Sequence, residues 1–93
     1  MTRVYLAGPI RGHADYHEKF AAAADKLRAE GYSVFNPASS NQEGRKLKDI
    51  MSFVLGQLCE CDAIAMLPNW SLSRGASIEW YLARYLNLEI ILL

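Results

Sequence analysis

A single carboxylate, Glu79, stands in the opening turns of the amphipathic stretch SRGASIEWYLAR, Ser73 to Arg84. At about 100° of turn per residue, Ile78, Leu82, Tyr85 and Leu86 form an apolar stripe suited to packing on a sheet, and Glu79 falls on the shoulder of that stripe. Gly75 lies within the stripe one turn earlier, where a missing side chain would let the helix end approach the sheet closely. Ala76 and Ser77 keep the surroundings narrow. A carboxylate at such a border lines a cleft and can be tuned for chemistry. A glutamate in an opening turn is also favoured by the helix dipole, and spacing alone leaves both readings open.

The segment GPIRG, residues 8–12, offers a second kind of chemistry. Gly8 and Gly12 permit the backbone to bend close to a ligand, and N–H groups at the start of the next helix can bind an anion. Arg11 adds a fixed positive charge whose fork geometry suits phosphate or carboxylate. The pattern lacks the spacings of a P-loop or a dinucleotide fingerprint, so a plain turn with a surface arginine is the competing reading. Ser73 is placed to cap the helix that carries Glu79, and its hydroxyl can join the Gly75 and Ser77 N–H groups around an anion. Tyr5 is either a core residue or a hydroxyl donor to the carboxylate. Asp62 opens a strand at its amino end, away from such a site, and reads as a turn residue. His13 and His17 have a helical chelating interval, but no third ligand is in view and no metal is expected. Trp70 and Trp80 are aromatic walls or interface anchors, which the sequence does not separate.

These residues need elements to position them. RVYLAG is a buried strand, and a helix follows from Asp15 to Glu30, with Asp15 and Glu18 forming a capping box and Gly31 a stop. YSVFNP is a second strand, followed by the polar loop ASSNQEGRK and a helix from about Leu47 to Glu60. DAIAML is a third strand, PNWSLS turns the chain into the helix of Glu79, and EIILL is a fourth strand. Strands alternating with helices of this length predict right-handed crossovers and a parallel sheet covered on both faces. The expected fold is a single-domain, flavodoxin-like α/β three-layer sandwich spanning residues 1–93, with strand order 2-1-3-4. Ligands of such sheets bind beyond the carboxyl ends of the strands where the order reverses, between strands one and three. The loops leaving those two strands are GPIRG and the segment leading into Glu79.

Composition narrows the partners. Ten basic residues balance ten acidic ones, which removes the electrostatic footprint of a general nucleic-acid binder. No apolar run is long enough to cross a bilayer. Cys59 and Cys61, one residue apart, suit neither a disulfide framework nor a zinc knuckle, and a reduced cytoplasmic protein is the plain reading.

VYLAGPIRG, CDAIAMLPNW and SRGASIEWYLAR together resemble the three signatures of the nucleoside 2-deoxyribosyltransferase superfamily. The resemblance is strongest to its short branch common in phage and bacterial genomes, and it covers nearly the whole chain. It implies cleavage or transfer at the N-glycosidic bond of deoxynucleosides or their 5′-monophosphates, without metal or organic cofactor. By that resemblance Glu79 is the nucleophile that forms a covalent glycosyl-enzyme, and Tyr5 holds its carboxylate. Gly8 and Arg11 line the sugar or 5′-phosphate pocket, and Ser73 contacts sugar or phosphate oxygens. The sequence departs from the family where an aspartate of the second helix assists departure of the base. Counting back from Asp62, that position is Val54; Asp49, a little over a turn earlier, would substitute only if the helix were shifted. Pro9 also lacks an N–H that could contact phosphate.

Leu47, Ile50, Met51, Phe53, Val54, Leu55 and Leu58 are apolar around more than one face of the second helix, which points to a homodimer through Leu47–Leu58 or to fuller burial under the polar loop. The leading expectation is an N-glycosidase or deoxyribosyltransferase that binds a nucleoside or nucleotide between Arg11 and Glu79. The alternative is a non-catalytic nucleotide-binding module that has lost the acid at Val54. A third is an interaction protein that uses the apolar second helix and leaves Glu79 solvated.

Overall fold

The computed structural model describes residues 2–40 and 42–93. Four parallel strands, β1 (Arg3–Ala7), β2 (Ser33–Phe35), β3 (Ala63–Met66) and β4 (Glu89–Leu92), form one sheet in the order β2-β1-β3-β4. The helices are α1 (Tyr16–Ala29), α2 (Leu47–Cys59) and α3 (Arg74–Tyr85), with short 3-10 turns at Pro37–Ser39 and Trp70–Leu72. The expected architecture and strand order are those observed.

The alternation along the central strands sorts the core into two layers. Val4 and Leu6 of β1 and Ala63 and Ala65 of β3 face α1, where they meet Phe20, Ala23, Ala24 and Leu27. Those four helical residues follow the i, i+3, i+4, i+7 spacing of one face, and alanines on both surfaces let helix and sheet approach closely. Tyr5, Ala7, Ile64 and Met66 point the other way, into a layer shared with Val54 and Leu58 of α2 and Ala83 of α3. Arg3 ties the lower end together. Its N–H donates to Asp62 Oδ2 at 3.0 Å and its guanidinium donates to Gln57 Oε1 at 2.9 Å, so Asp62 is a structural acceptor.

Helix ends follow local chemistry. Both α1 and α3 close with the paired bonds of a Schellman motif, Tyr32 N–H to the Leu27 carbonyl and Leu88 N–H to the Ala83 carbonyl. The residue in the left-handed conformation is Gly31 in the first and Asn87 in the second. The expected capping box at Asp15 does not form. The Asp15 side chain makes no capping bond, and its carboxylate pairs with Lys19 at 3.3 Å, one turn into the helix.

The α3 face differs from the expected stripe. Its buried residues are Ala76, Glu79 and Ala83, while Ile78, Tyr85 and Leu86 are exposed. Ala83, with the half-buried Trp80 and Leu82, packs on the layer of Ile64 and Met66, and the other large apolar residues of the helix turn outward. Glu79 therefore lies within the buried face, not on its shoulder.

Candidate functional site

The parallel topology gathers the carboxyl ends of β1 and β3 at one edge, with the first turns of α2 and α3 beside them. β1 ends at Ala7, and Gly8 follows in close contact with the loop after β3. A Cβ added to Gly8 would stand 2.7 Å from Leu67 Cβ, which is overlap rather than packing, so glycine is required to hold the two loops together. Arg11 lies in the exposed turn beyond Gly8, and Gly12 adopts φ 79°, a left-handed conformation that favours glycine.

The start of α3 is capped as expected. Ser73 Oγ accepts the Ala76 N–H at 3.2 Å, and the Ser73 carbonyl accepts the Ser77 N–H at 3.0 Å. Ser77 N–H is thus committed to the helix and is not an anion donor. The Arg74 and Gly75 N–H groups of the first turn have no intrahelical acceptor by geometry. Around Gly75 the space is open, with nothing within 4 Å of an added Cβ; the expected close approach to the sheet is absent there.

Six residues beyond Ser73, Glu79 turns into the layer between sheet and helices. Tyr5, fully buried in the middle of β1, donates its hydroxyl to Glu79 Oε2 at 2.6 Å. The Tyr5 ring stacks on Phe35, its partner in the β1–β2 register, with centroids 5.5 Å apart. Tyr5 is therefore both core residue and hydroxyl donor. Glu79 Oε1 accepts no hydrogen bond from a described residue, and the described residues contain no buried side-chain oxygen without a partner. The residue as a whole is 8% exposed.

Burial pushes the Glu79 carboxyl up to about 7, against the opposite pull of the Tyr5 hydrogen bond. Burial, then the adjacent Glu79 charge, drives the Tyr5 hydroxyl far above its ordinary range. At neutral pH Tyr5 is a donor only, and Glu79 is divided between its two protonation states. A carboxylate poised there can act as nucleophile or exchange a proton.

Val54 is buried in the same apolar layer as Tyr5. The position at which the resemblance expects an acid is thus a packed methyl-bearing side chain, and Asp49 is exposed in the first turn of an unshifted α2. Two cavities flank other surfaces. One of about 440 Å³ lies beside α1, between Lys19, Lys26, His13 and the Leu67–Asn69 turn. The other, of about 460 Å³, lies on the outer flank of α3 and includes Ser77. Neither is lined by Tyr5, Glu79 or Arg11. The structure thus joins Tyr5 to Glu79 and Gly8 to the β3 loop, but turns Ser77 to the opposite flank of α3. Among the described residues no cluster of three or more His, Cys, Asp or Glu side chains is placed to hold a metal, and no helix is long and apolar enough to cross a membrane.

Sequence reading missed Phe35, whose stacking fixes the Tyr5 ring. The signal was available only through register, because the aromatic sits opposite Tyr5 on a neighbouring strand. It also left open the pairing of Trp70 with Trp80, which stack at 5.1 Å with the Arg84 guanidinium 4.9 Å above the Trp80 ring.

Fold and site together define a small three-layer α/β domain with a buried tyrosine–glutamate pair under its third helix. Residues 2–92 match the family described as a domain of unknown function, DUF4406, and the chain belongs to that family. No curated protein matches the chain.

Proposed function

We propose that the protein is an N-glycosidase or deoxyribosyltransferase acting on deoxynucleosides or their 5′-monophosphates, with Glu79 as nucleophile. The observation that carries this reading is the 2.6 Å bond from the Tyr5 hydroxyl to Glu79 Oε2 inside the buried layer. One oxygen is held and the other has a lone pair to offer. The resemblance of VYLAGPIRG, CDAIAMLPNW and SRGASIEWYLAR to deoxyribosyltransferase signatures supports the substrate class.

In this reading ionised Glu79 attacks the anomeric carbon through Oε1. The N-glycosidic electron pair leaves with the base, which takes a proton from water, and a glycosyl ester on Glu79 remains. Water or an acceptor base then attacks the same carbon and loses a proton, and the ester oxygen leaves as the Glu79 carboxylate. Tyr5 stabilises the carboxylate at both ends of the cycle by donating to Oε2. The Arg74 and Gly75 N–H groups and the Ser73 hydroxyl stand at the helix start, where an anionic substrate group is favoured. Arg11, on an exposed turn, is the cation that would meet it. The two free cysteines, one of them exposed, support a reducing cytoplasmic setting.

A second reading is favoured by Val54. With an apolar side chain where the resemblance expects the acid, the domain would bind a nucleotide without turning it over. Incubation with a panel of deoxynucleosides and 5′-monophosphates, followed by chromatography of free base, separates the two. Base released by wild type and not by Glu79→Gln supports the enzyme. Thermal stabilisation by a nucleotide without base release supports the binding module and rejects the enzyme.

A further inference from the structure

The outer face of α3 carries apolar residues at helical spacing that remain largely exposed. Ile78, Tyr81 and Tyr85, at i, i+3 and i+7, are 50%, 69% and 83% exposed, and Leu72 in the preceding turn is 84% exposed. Together these four present on the order of 600 Å² of surface, at the upper end of the roughly 300–600 Å² of an ordinary monomer's largest apolar patch and approaching the ~800 Å² that each partner gives to a standard interface. By contrast, α2 leaves only Leu47 exposed among its large apolar side chains, since Ile50, Met51, Phe53 and Leu55 pack into the layer below.

We propose that this face is the dimer interface of the protein, formed by α3 packing antiparallel on α3 of a second copy about a two-fold axis near Tyr81. The groove beside the ridge identifies the occupant. It has a volume of about 460 Å³ and is lined by Ser71, Leu72, Arg74, Ser77, Ile78 and Tyr81. Tyr85 lies four residues beyond Tyr81 and Ser77 four residues before it, each about 6 Å along the helix. A two-fold axis at Tyr81 therefore sets Tyr85 of each copy against Ser77 of the other, within the groove.

Electrostatics agree with a self-pairing. The ridge and groove contain no carboxylate, so an arginine-rich partner would find nothing to pair with. Arg74 would meet the ring of the incoming Tyr85, a cation–π arrangement. The two Arg74 residues themselves would stand roughly 20 Å apart along the helix axis, beyond a Debye length at physiological salt. The antiparallel arrangement also opposes the two helix dipoles.

Sedimentation velocity of the full chain at about 10 and 100 µM tests the proposal, with Tyr81→Glu, Tyr85→Ala and Leu47→Glu alongside. The expected species is a dimer of twice the 10.5 kDa chain mass. Tyr81→Glu becomes monomeric with unchanged circular dichroism, Tyr85→Ala weakens the dimer at least tenfold, and Leu47→Glu stays dimeric. A wild-type monomer at about 100 µM, or a dimer that survives Tyr81→Glu, overturns the interface. Loss of the dimer in Leu47→Glu alone would place it on α2 instead.

Discussion

Tyr5 and Glu79, 74 residues apart in sequence, share a 2.6 Å hydrogen bond inside the layer between sheet and helices. Strand β1 supplies a donor that burial keeps protonated, and α3 supplies a carboxyl that burial keeps near the point of ionisation. The pair is costly to the fold and useful to a reaction for the same reason: the charged form of Glu79 has little water around it.

That cost sets a pH dependence. The Glu79 carboxyl holds its proton more tightly in the fold, at about 7, than at its ordinary value of 4.5. Its contribution to stability is therefore complete below about pH 4.5, falls as pH rises toward 7, and is flat above. The loss is on the order of 3 kcal/mol. Glu79→Gln keeps an acceptor for Tyr5 and removes the charge, so it is expected to be more stable than wild type at pH 8 by about 2–3 kcal/mol and nearly equal at pH 4.5. Urea denaturation at the two pH values checks this, and parallel stability curves would contradict it.

Tyr5→Phe removes the donor that favours the ionised carboxylate. The acidic limb of the pH–rate profile for base release is expected to move to higher pH. Activity at pH 7 is expected to fall tenfold to a hundredfold, the worth of a hydrogen bond to a charged group at about 1.5–3 kcal/mol. An unshifted limb with unchanged rate would mean that Tyr5 serves packing alone.

Gly8→Ala is expected to destabilise the fold by about 1–3 kcal/mol, because the new methyl meets Leu67. Combining it with Leu67→Gly, which removes the Cβ that the new methyl meets, takes the obstacle away, so the double variant should cost less than the two single variants added together. Additive costs, read by denaturant titration, would show that the two loops are not locked through this contact.

Val54→Asp tests the departure from the deoxyribosyltransferase pattern. An unpaired carboxyl in this layer is expected to cost several kcal/mol, while base release by the protein that remains folded should rise at least tenfold, as for an added general acid. A folded Val54→Asp with no gain in rate would show that this position is not where protonation of the base is limiting.

The fold was legible because its signals are local and redundant. Alternation within β1 and β3, the turn chemistry at Gly31 and the Ser73 cap each named an element, and βαβ handedness then left strand order 2-1-3-4 as the simplest arrangement. Tyr5, Glu79, Gly8 and Ser73 could be singled out by type and position. The orientation of α3 could not. Large apolar residues marked Ile78, Leu82, Tyr85 and Leu86 as the inward stripe, and Leu82 does pack on the layer of Ile64 and Met66, but Ile78, Tyr85 and Leu86 are exposed. Ala76 and Ala83 face inward instead, and Glu79 is carried with them. Helical periodicity reports that one face is apolar; it does not report whether the sheet or a second molecule covers it. Likewise the closeness of Gly8 to Leu67 belongs to the meeting of two loops, which no local pattern encodes.

The central claim is that Glu79 forms a covalent bond to the sugar. Acid-quenching the protein during turnover of a deoxynucleoside 5′-monophosphate, followed by peptide mass mapping, tests it directly. A deoxyribosyl phosphate adduct is expected on the peptide containing Glu79, absent in Glu79→Gln. Free base accumulating while that peptide stays unmodified, with Glu79→Gln releasing base at the wild-type rate, would contradict it.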